Sequence, residues 1–235
     1  MSYSCNHSFI RFNETNTVVK AVELMKKEFN INDNFEVSLN KHIPMQAGLA
    51  GGSTDGAAVI RIINRMYKLN LSEEKIKELC LKIGADVLFT YYNKPALVSG
   101  IGDNLEFIDV KDDYYVLIVK PKFGVSTKDC YDLMDLASCP HPDINKVLKA
   151  LENGEDLKEL VGNSMEPAAI KLLGTIADVK KALLDNGAPF ALMSGSGSSV
   201  FTMSKDEEEI KRLYNLINNK GWFVRYTKVL KMPKK

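Results

Sequence analysis

The chain has 235 residues, of which 45% are hydrophobic and 26% charged, as expected for a globular protein of one large or two small domains. Lys and Arg number 31 against 30 Asp and Glu, a net charge of +1 that excludes a broad electropositive surface for nucleic acid or anionic lipid. The longest apolar run, Tyr114–Val119, is far too short to cross a bilayer. These features predict a soluble, cytoplasmic protein that binds neither nucleic acid nor a membrane.

The first half of the chain predicts mainly helices. An amphipathic pattern over Thr17–Phe29 predicts the first helix, and Phe35–Asn40 alternates apolar and polar residues as a half-buried strand does. A second helix is expected over Ala57–Tyr67. A third begins after Ser72, a good N-cap residue, and ends at Gly84.

The second half has the order β-α-β-β-α-β, which is typical of a ferredoxin-like, split βαβ domain. Two α+β domains are therefore expected, over residues 1–112 and 113–235. The clearest predicted elements of the second domain are Tyr114–Val119, Phe190–Met193, Val200–Met203, Asp206–Asn219 and Trp222–Val229.

A glycine-rich segment joins the first predicted strand to the second helix. Residues 43–56, the first glycine segment, read IPMQAGLAGGSTDG. In a strand–loop–helix arrangement the backbone N–H groups can converge on a phosphate at the helix N-terminus, where Ser53 and Thr54 add hydroxyls that could reach a phosphate or its Mg²⁺. The segment lacks the lysine of a P-loop and the spacing of a dinucleotide-binding loop. The alternative is a tight turn with a serine cap.

A second glycine segment, Ser194–Ser199, lies between two short predicted strands. One interpretation is a flexible hairpin turn, a common use of Gly and Ser. The other is a second backbone surface that faces the first glycine segment, so that the phosphates of a ligand lie between the two domains.

Asp86 follows directly after the end of the third helix, beside the apolar run Val87–Phe89, which is expected to desolvate it partly. It is either an ordinary turn aspartate or a carboxylate with a role in phosphoryl transfer. In the second case it accepts the proton of an attacking hydroxyl or holds Mg²⁺.

Together these motifs resemble the GHMP kinase superfamily from about Asn16 onward. Residues 43–55 are similar to its ATP loop, with Ala50 where glycine is usual, a change that a loop tolerates unless φ is positive there. Residues 83–89 are similar to its L-G-A-D-V-P-F motif, with Leu88 in place of proline. Further similar segments are Gly100–Asp103, Lys120–Thr127, Asn163–Glu166 and Met193–Phe201.

The resemblance implies an α+β, two-domain GHMP kinase fold, with a ribosomal-S5-domain-2-like N-terminal domain and a ferredoxin-like C-terminal domain. It implies ATP and Mg²⁺ as cofactors and a cytidine diphosphate derivative as the small-molecule substrate. The branch it is most like phosphorylates the 2-hydroxyl of 4-diphosphocytidyl-2-C-methyl-D-erythritol in non-mevalonate isoprenoid precursor synthesis. A monomer or a weak homodimer is expected.

The resemblance also implies roles for individual residues. Asp86 would be the catalytic base, and Ser53 would lie near the β- and γ-phosphates and Mg²⁺. Tyr131 would stack on the cytosine base, the alternative being core packing. The other implied phosphate-binding residues are Pro44, Met45, Gln46, Ala47, Gly48, Leu49, Ala50, Gly51, Gly52 and Thr54. The other implied substrate-binding residues are Lys41, Thr127, Gly195 and Gly197.

Two motifs of the superfamily, K-x-N and G-Y-H, have no counterpart in this chain, and Ser2–Phe12 align with a strand well inside the first domain. The leading expectation is therefore a kinase whose N-terminal segment is absent from the sequence, with an open sheet edge. One alternative is another GHMP kinase that acts on mevalonate, homoserine or a sugar. The other is a nucleotide-binding remnant without catalytic activity.

Overall fold

The computed structural model describes residues 1–231, which divide into two compact units. The first unit contains Met1–Pro44 and Ala50–Phe107, and the second contains Met45–Leu49 and the chain from Ile108 onward. The boundary between residues 112 and 113 stays a prediction, since these units divide after Phe107. No helix within residues 1–231 has both the length and the apolar character needed to cross a membrane.

The first unit consists of four helices and two small sheets. Its helices are α1 (Thr17–Glu28), α2 (Gly51–Met66), α3 (Glu73–Ile83) and α4 (Val87–Tyr92). Its strands are β1 (Ser2–Cys5) and β2 (Glu36–Leu39), which pair in parallel, and β3 (Ala96–Ser99) and β4 (Asn104–Phe107), which pair antiparallel.

The helices of this unit form where caps and apolar spacing agree. The predictions of α1 and α3 are confirmed, and the Ser72 hydroxyl accepts a hydrogen bond from the Lys75 N–H as an N-cap does. Helix α2 begins at Gly51 rather than at the predicted Ala57. Tertiary packing of its buried face, which includes Ile60, offsets the low helix propensity of the glycines in its first turns.

The second unit is built on a four-stranded antiparallel sheet in the order β6-β7-β5-β8, with β7 lying between β6 and β5. This order confirms the predicted ferredoxin-like layout. The strands are β5 (Tyr115–Lys120), β6 (Leu192–Met193), β7 (Val200–Ser204) and β8 (Phe223–Lys228). The helices are α5 (Thr127–Asp132), α6 (Ile144–Asn153), α7 (Glu166–Leu172), α8 (Thr175–Asp185) and α9 (Glu207–Ile217).

One face of this sheet forms the core of the second unit. Leu117 and Val200 on neighbouring strands are fully buried, and they share a cluster with Leu183 of α8 and Leu213 of α9. A cluster of this kind holds the hairpin between β6 and β7 in place, and that hairpin is the second glycine segment.

Candidate active site

The first glycine segment leads into a helix N-terminus whose first amides have no acceptor within residues 1–231. The Thr54 N–H donates to the Ala50 carbonyl at 2.9 Å, which is the first i to i−4 bond of α2. The amides of Gly51, Gly52 and Ser53 precede that bond and so have no acceptor within the helix. The Ser53 hydroxyl forms no hydrogen bond with any other described residue. With the positive end of the helix dipole, these groups suit an anion such as phosphate.

The alternative of a serine-capped turn is wrong, because the N-cap residue of α2 is Ala50 and Ser53 lies inside the helix. Ala50 has φ 48° and ψ 27°, the left-handed conformation that favours glycine. Alanine is therefore costly here, by about 1–2 kcal/mol relative to a right-handed conformation. Because φ is positive at this position, alanine in place of the usual glycine is expected to strain the loop.

Lys41 lies beside the N-terminus of α2. It is 7% exposed, and its ammonium forms an ion pair with Asp55, a residue of the first glycine segment for which no role was predicted. A Cβ placed on Gly51 would lie only 3.0 Å from Lys41 Nζ. The Asn6 side chain holds the Lys41 backbone, donating to its carbonyl at 3.1 Å and accepting from its N–H at 2.7 Å. A positive charge is thus fixed at the first turn of α2, and its contact with a ligand stays a prediction.

Asp86 carries an exposed carboxylate. It occupies the N-cap position of α4, yet its side chain makes no capping hydrogen bond, and it forms no ion pair within residues 1–231. The expectation that Asp86 is desolvated is wrong, because Val87 and Leu88 fill the core instead. The carboxylate is therefore available to a ligand.

Packing between α2 and the end of α3 limits how far Asp86 can lie from α2. A Cβ placed on Gly56, in the second turn of α2, would lie 3.4 Å from Ile83 Cγ2 at the end of α3. Asp86 follows Ile83 by three residues, which span at most about 11 Å. Gly102, in the turn between β3 and β4, packs against the peptide group that joins Ala85 to Asp86. A Cβ on Gly102 would lie 2.2 Å from the Ala85 carbonyl oxygen.

The second glycine segment is a buried, hydrogen-bonded loop. Ser196, Ser198 and Ser199 are 7%, 0% and 0% exposed. The Gly197 N–H donates to the Ser194 carbonyl at 2.9 Å, and the Ser194 N–H donates to the Ser199 carbonyl at 2.9 Å. The segment does connect two antiparallel strands, but burial and these bonds contradict a flexible turn.

This loop contacts the part of the first glycine segment that belongs to the same unit. The Ser194 hydroxyl donates to the Gly48 carbonyl at 2.8 Å, and the Ser199 N–H donates to the Ala47 carbonyl at 3.2 Å. Gly48 has φ +68°, and a Cβ there would lie 1.9 Å from the Ser194 carbonyl oxygen. Gly195, with φ +54°, faces Gly48 so closely that its own Cβ would lie 3.3 Å from the Gly48 oxygen.

The remaining residues of this part of the first segment are placed differently from one another. Ala47 is buried, whereas Met45 and Gln46 are exposed and Leu49 is half-buried. Gln46 packs against Gly124, where a Cβ would lie 2.3 Å from the Gln46 Cβ. Pro44 is half-buried in the first unit.

Of the two residues expected to bind cytidine, Thr127 lies beside the same loop and Tyr131 is exposed. The Thr127 and Ser196 hydroxyls are 2.8 Å apart, and the Ser198 hydroxyl donates to the Phe123 carbonyl at 2.7 Å. Tyr131 is 62% exposed, so the alternative that it packs in the core is wrong. The structure thus brings Thr127 together with Gly195, Gly197 and Gly48 within the second unit.

Lys120, at the end of β5, is a buried cation of this region that sequence reasoning missed. It is 5% exposed, and burial lowers the pKa of its ammonium below the usual 10.5. Its Nζ donates to the carbonyls of Pro121 at 3.0 Å and Phe123 at 3.3 Å, and it has no carboxylate partner within residues 1–231. The hydrogen bond between Phe123 and Ser198 links it to the second glycine segment.

Comparison with known proteins agrees with this geometry. The GHMP kinases N terminal domain matches residues 16–94, and the GHMP kinases C terminal domain matches residues 140–221. A 4-diphosphocytidyl-2-C-methyl-D-erythritol kinase of Exiguobacterium sibiricum is 35% identical over 214 residues, which cover 90% of this chain and 75% of that relative.

Solved structures show the same fold. The crystal structure of a 4-(cytidine 5'-diphospho)-2C-methyl-D-erythritol kinase matches with a TM-score of 0.78 and 25% identity, covering 97% of this chain and 82% of that one. A homoserine kinase from Cytophaga hutchinsonii matches with a TM-score of 0.76 at 20% identity, covering 98% of this chain and 81% of its own, a likeness of fold alone.

The fold and the two matched domains define a GHMP kinase, a class of ATP-using small-molecule kinases. Within that class, the chain belongs to the family of 4-diphosphocytidyl-2-C-methyl-D-erythritol kinases. The predicted family, the two-domain fold class and the kinase activity expected of such a fold are thereby confirmed. The roles of individual residues stay predictions.

Proposed function

We propose that this chain transfers the γ-phosphoryl group of ATP to the 2-hydroxyl of 4-diphosphocytidyl-2-C-methyl-D-erythritol, in non-mevalonate isoprenoid precursor synthesis. The observation that carries the proposal is the exposed carboxylate of Asp86, which forms no capping bond or ion pair within residues 1–231 and follows three residues after Ile83, a residue packed against Gly56 of α2. The family supplies the substrate, since the Exiguobacterium sibiricum relative carries that name.

The nucleotide phosphates bind, in this proposal, at the first glycine segment. The free amides of Gly51, Gly52 and Ser53 donate to phosphate oxygens, and the buried Lys41 adds positive charge beside them. No group of three or more His, Cys, Asp or Glu side chains within residues 1–231 could hold a metal ion. Mg²⁺ would therefore be held mainly by the phosphates, with the Ser53 hydroxyl, and when bound it neutralises charge on the transferred group.

Asp86 acts as the general base. Phosphoryl transfer depends on positioning, on charge neutralisation and on an acceptor for the proton of the attacking hydroxyl. A carboxylate without a capping bond or an ion pair can take that proton, whereas a paired one would first have to lose its partner. Asp86 is thus suited to the third task.

The cytidine end of the substrate binds, in this proposal, at Thr127 and Tyr131 of α5, beside Gly195 and Gly197. The exposed ring of Tyr131 can stack on a base, and the Thr127 hydroxyl is held by Ser196. ATP binding is accordingly assigned to residues 1–112 and substrate binding to residues 113–235. We place the kinase in the cytoplasm as a monomer or weak homodimer, in keeping with its small-molecule substrate, and sedimentation of the purified chain checks its oligomeric state.

The direct test follows the product by phosphorus NMR. The chain is incubated with Mg-ATP and 4-diphosphocytidyl-2-C-methyl-D-erythritol, with the Exiguobacterium sibiricum relative as control and with mevalonate and homoserine as competing substrates. A new phosphate monoester at the 2-hydroxyl is the expected result. Preferred phosphorylation of mevalonate or homoserine, or no product while the control is active, would contradict the proposal.

A further inference from the structure

Asn163 contacts the second glycine segment, although it has no part in the proposed proton transfer or substrate binding. Its side-chain Nδ2 donates to the Met193 carbonyl at 2.7 Å and to the Gly195 carbonyl at 2.8 Å. Its Oδ1 accepts from the Met165 N–H at 2.9 Å. Two acceptors on one side and a donor on the other fix the orientation of this amide.

Glu166, three residues later in α7, binds the backbone N–H of Met193, the last residue of β6. Its Oε2 accepts from the Met193 N–H at 3.0 Å, and its Oε1 forms an ion pair with Lys180 of α8. Both the N–H and the carbonyl of Met193 are therefore bound by the Asn163–Glu166 segment. The second glycine segment begins directly after this anchored residue.

The anchored loop in turn holds two parts of the proposed site. Ser194 and Ser199 bond to the carbonyls of Gly48 and Ala47, and Ser196 bonds to the Thr127 hydroxyl. These contacts all lie within the second unit. Any displacement of the Gly195 carbonyl is thus passed to one segment expected to meet the nucleotide and to one expected to meet the cytidine.

We propose that Asn163 is a positioning residue, which fixes the carbonyls of Met193 and Gly195 and so keeps Ala47–Gly48 and Thr127 in their working geometry. The inference rests on the proposed function for its kinetic consequence, but its structural part does not depend on turnover.

The sharpest variant is Asn163→Asp, which keeps the shape of the side chain. It replaces an N–H donor with a carboxylate oxygen that faces two carbonyl oxygens, so both bonds are lost and repulsion is added. Asn163→Ala removes the bonds without the repulsion, and it decides the question if the aspartate variant does not fold. The matched control is Asn186→Asp, because the Asn186 amide donates to one carbonyl, that of Ala182, at 2.7 Å outside the loop.

Hydrogen exchange of the purified chain tests the structural part. Amide exchange over residues 193–199 should become about ten- to a hundredfold faster in both Asn163 variants, because two hydrogen bonds to the loop are lost. The Ser199 amide, which donates to Ala47, reports the contact between the segments directly. Exchange in α9 and in the Asn186→Asp control should stay as in the wild type. Unchanged exchange over 193–199 would overturn the inference whether or not the chain is active.

Kinetics tests the catalytic part. Asn163→Asp should lower kcat/KM for both ATP and the cytidylyl substrate by about tenfold or more, whereas Asn186→Asp should leave both unchanged. Equal kinetics in the two variants, with an active wild type, would overturn the positioning role. An inactive wild type would instead contradict the proposed function, and hydrogen exchange would still decide the structural part.

Discussion

The two glycine segments have similar compositions but different structures. The first ends at a helix whose leading amides, at Gly51, Gly52 and Ser53, have no acceptor within the helix. The second, Ser194–Ser199, is largely buried, and its amides at Ser194, Gly197 and Ser199 donate to backbone carbonyls, whereas those at Gly195, Ser196 and Ser198 have no acceptor within residues 1–231. Since buried backbone groups must find partners, unpartnered amides suit a ligand and partnered ones a scaffold. Glycine content alone does not distinguish the two.

In the proposed function the first glycine segment binds phosphate and the second supports the site, so the proton of the attacking hydroxyl goes to Asp86, which lies outside both segments. Asp86→Asn removes the base but keeps its shape, and kcat is expected to fall roughly a hundredfold or more with little change in ATP affinity. Steady-state kinetics and nucleotide titration measure the two effects. Asp109→Asn, at another exposed aspartate, is the matched control. A near-normal kcat in Asp86→Asn would make Asp86 a structural residue.

The contact between the segments predicts different effects of alanine at two glycines. Gly48→Ala should lower the free energy of unfolding by about 3 kcal/mol, because its Cβ would overlap the Ser194 carbonyl oxygen and φ is +68°. Gly52→Ala should leave it unchanged or raise it by up to about 1 kcal/mol, since the nearest atom to its Cβ, Thr17 Oγ1, would lie 3.6 Å away and alanine favours the helix. Urea unfolding followed by circular dichroism measures both. Equal effects would contradict the described packing of Gly48.

A smaller effect tests the conformation at the start of α2. Ala50→Gly should raise the free energy of unfolding by about 0.5–1 kcal/mol, because glycine adopts φ 48° without steric cost, although it gives the unfolded chain more freedom. Ala57→Gly, at a buried position inside the same helix, should lower the stability by about 1 kcal/mol. Thermal unfolding of the pair gives the signs, and a destabilised Ala50→Gly would contradict the left-handed conformation.

The smallest effect concerns the support of the second segment by Lys120. Burial lowers the pKa of Lys120 in the folded chain below the value of 10.5 expected when unfolded. Between those two pKa values the unfolded state binds more protons, so the wild type gains stability as pH rises through that window. Lys120→Met lacks this gain, and its stability relative to the wild type should therefore fall as pH approaches 10.5.

Unfolding midpoints from neutral pH to 10.5 measure this dependence on pH. Lys149→Met, at an exposed lysine of α6, is the control and should show no such trend. A stability difference for Lys120→Met that stays constant with pH would contradict a desolvated ammonium.

The sequence predicted those elements that depend on interactions between residues close together in the chain. The spacing of apolar residues and the Ser72 cap were enough for α3, and the strand order of the second unit followed from β-α-β-β-α-β. The short strands β3 and β4 were not predicted. The early start of α2 depends on packing, which a run of Gly, Ser and Thr does not reveal.

The site was predicted less completely, for a similar reason. Motifs pointed to Asp86 and to both glycine segments, but the exposure of Asp86 and the left-handed conformation of Ala50 depend on tertiary context. The bonds that Asn163 makes to Met193 and Gly195 join positions about 30 residues apart in sequence. No spacing rule connects such positions, although Asn163–Glu166 was one of the segments that resemble the GHMP kinase superfamily.

Amide NMR of the isotope-labelled chain, titrated with a non-hydrolysable ATP analogue and Mg²⁺, tests the division between the two segments most directly. The largest shifts are expected at Gly51, Gly52 and Ser53, whose amides have no acceptor within the helix, and small ones at Gly197 and Ser199, whose amides donate to backbone carbonyls. Shifts confined to the second glycine segment, with none at 51–53, would contradict the account.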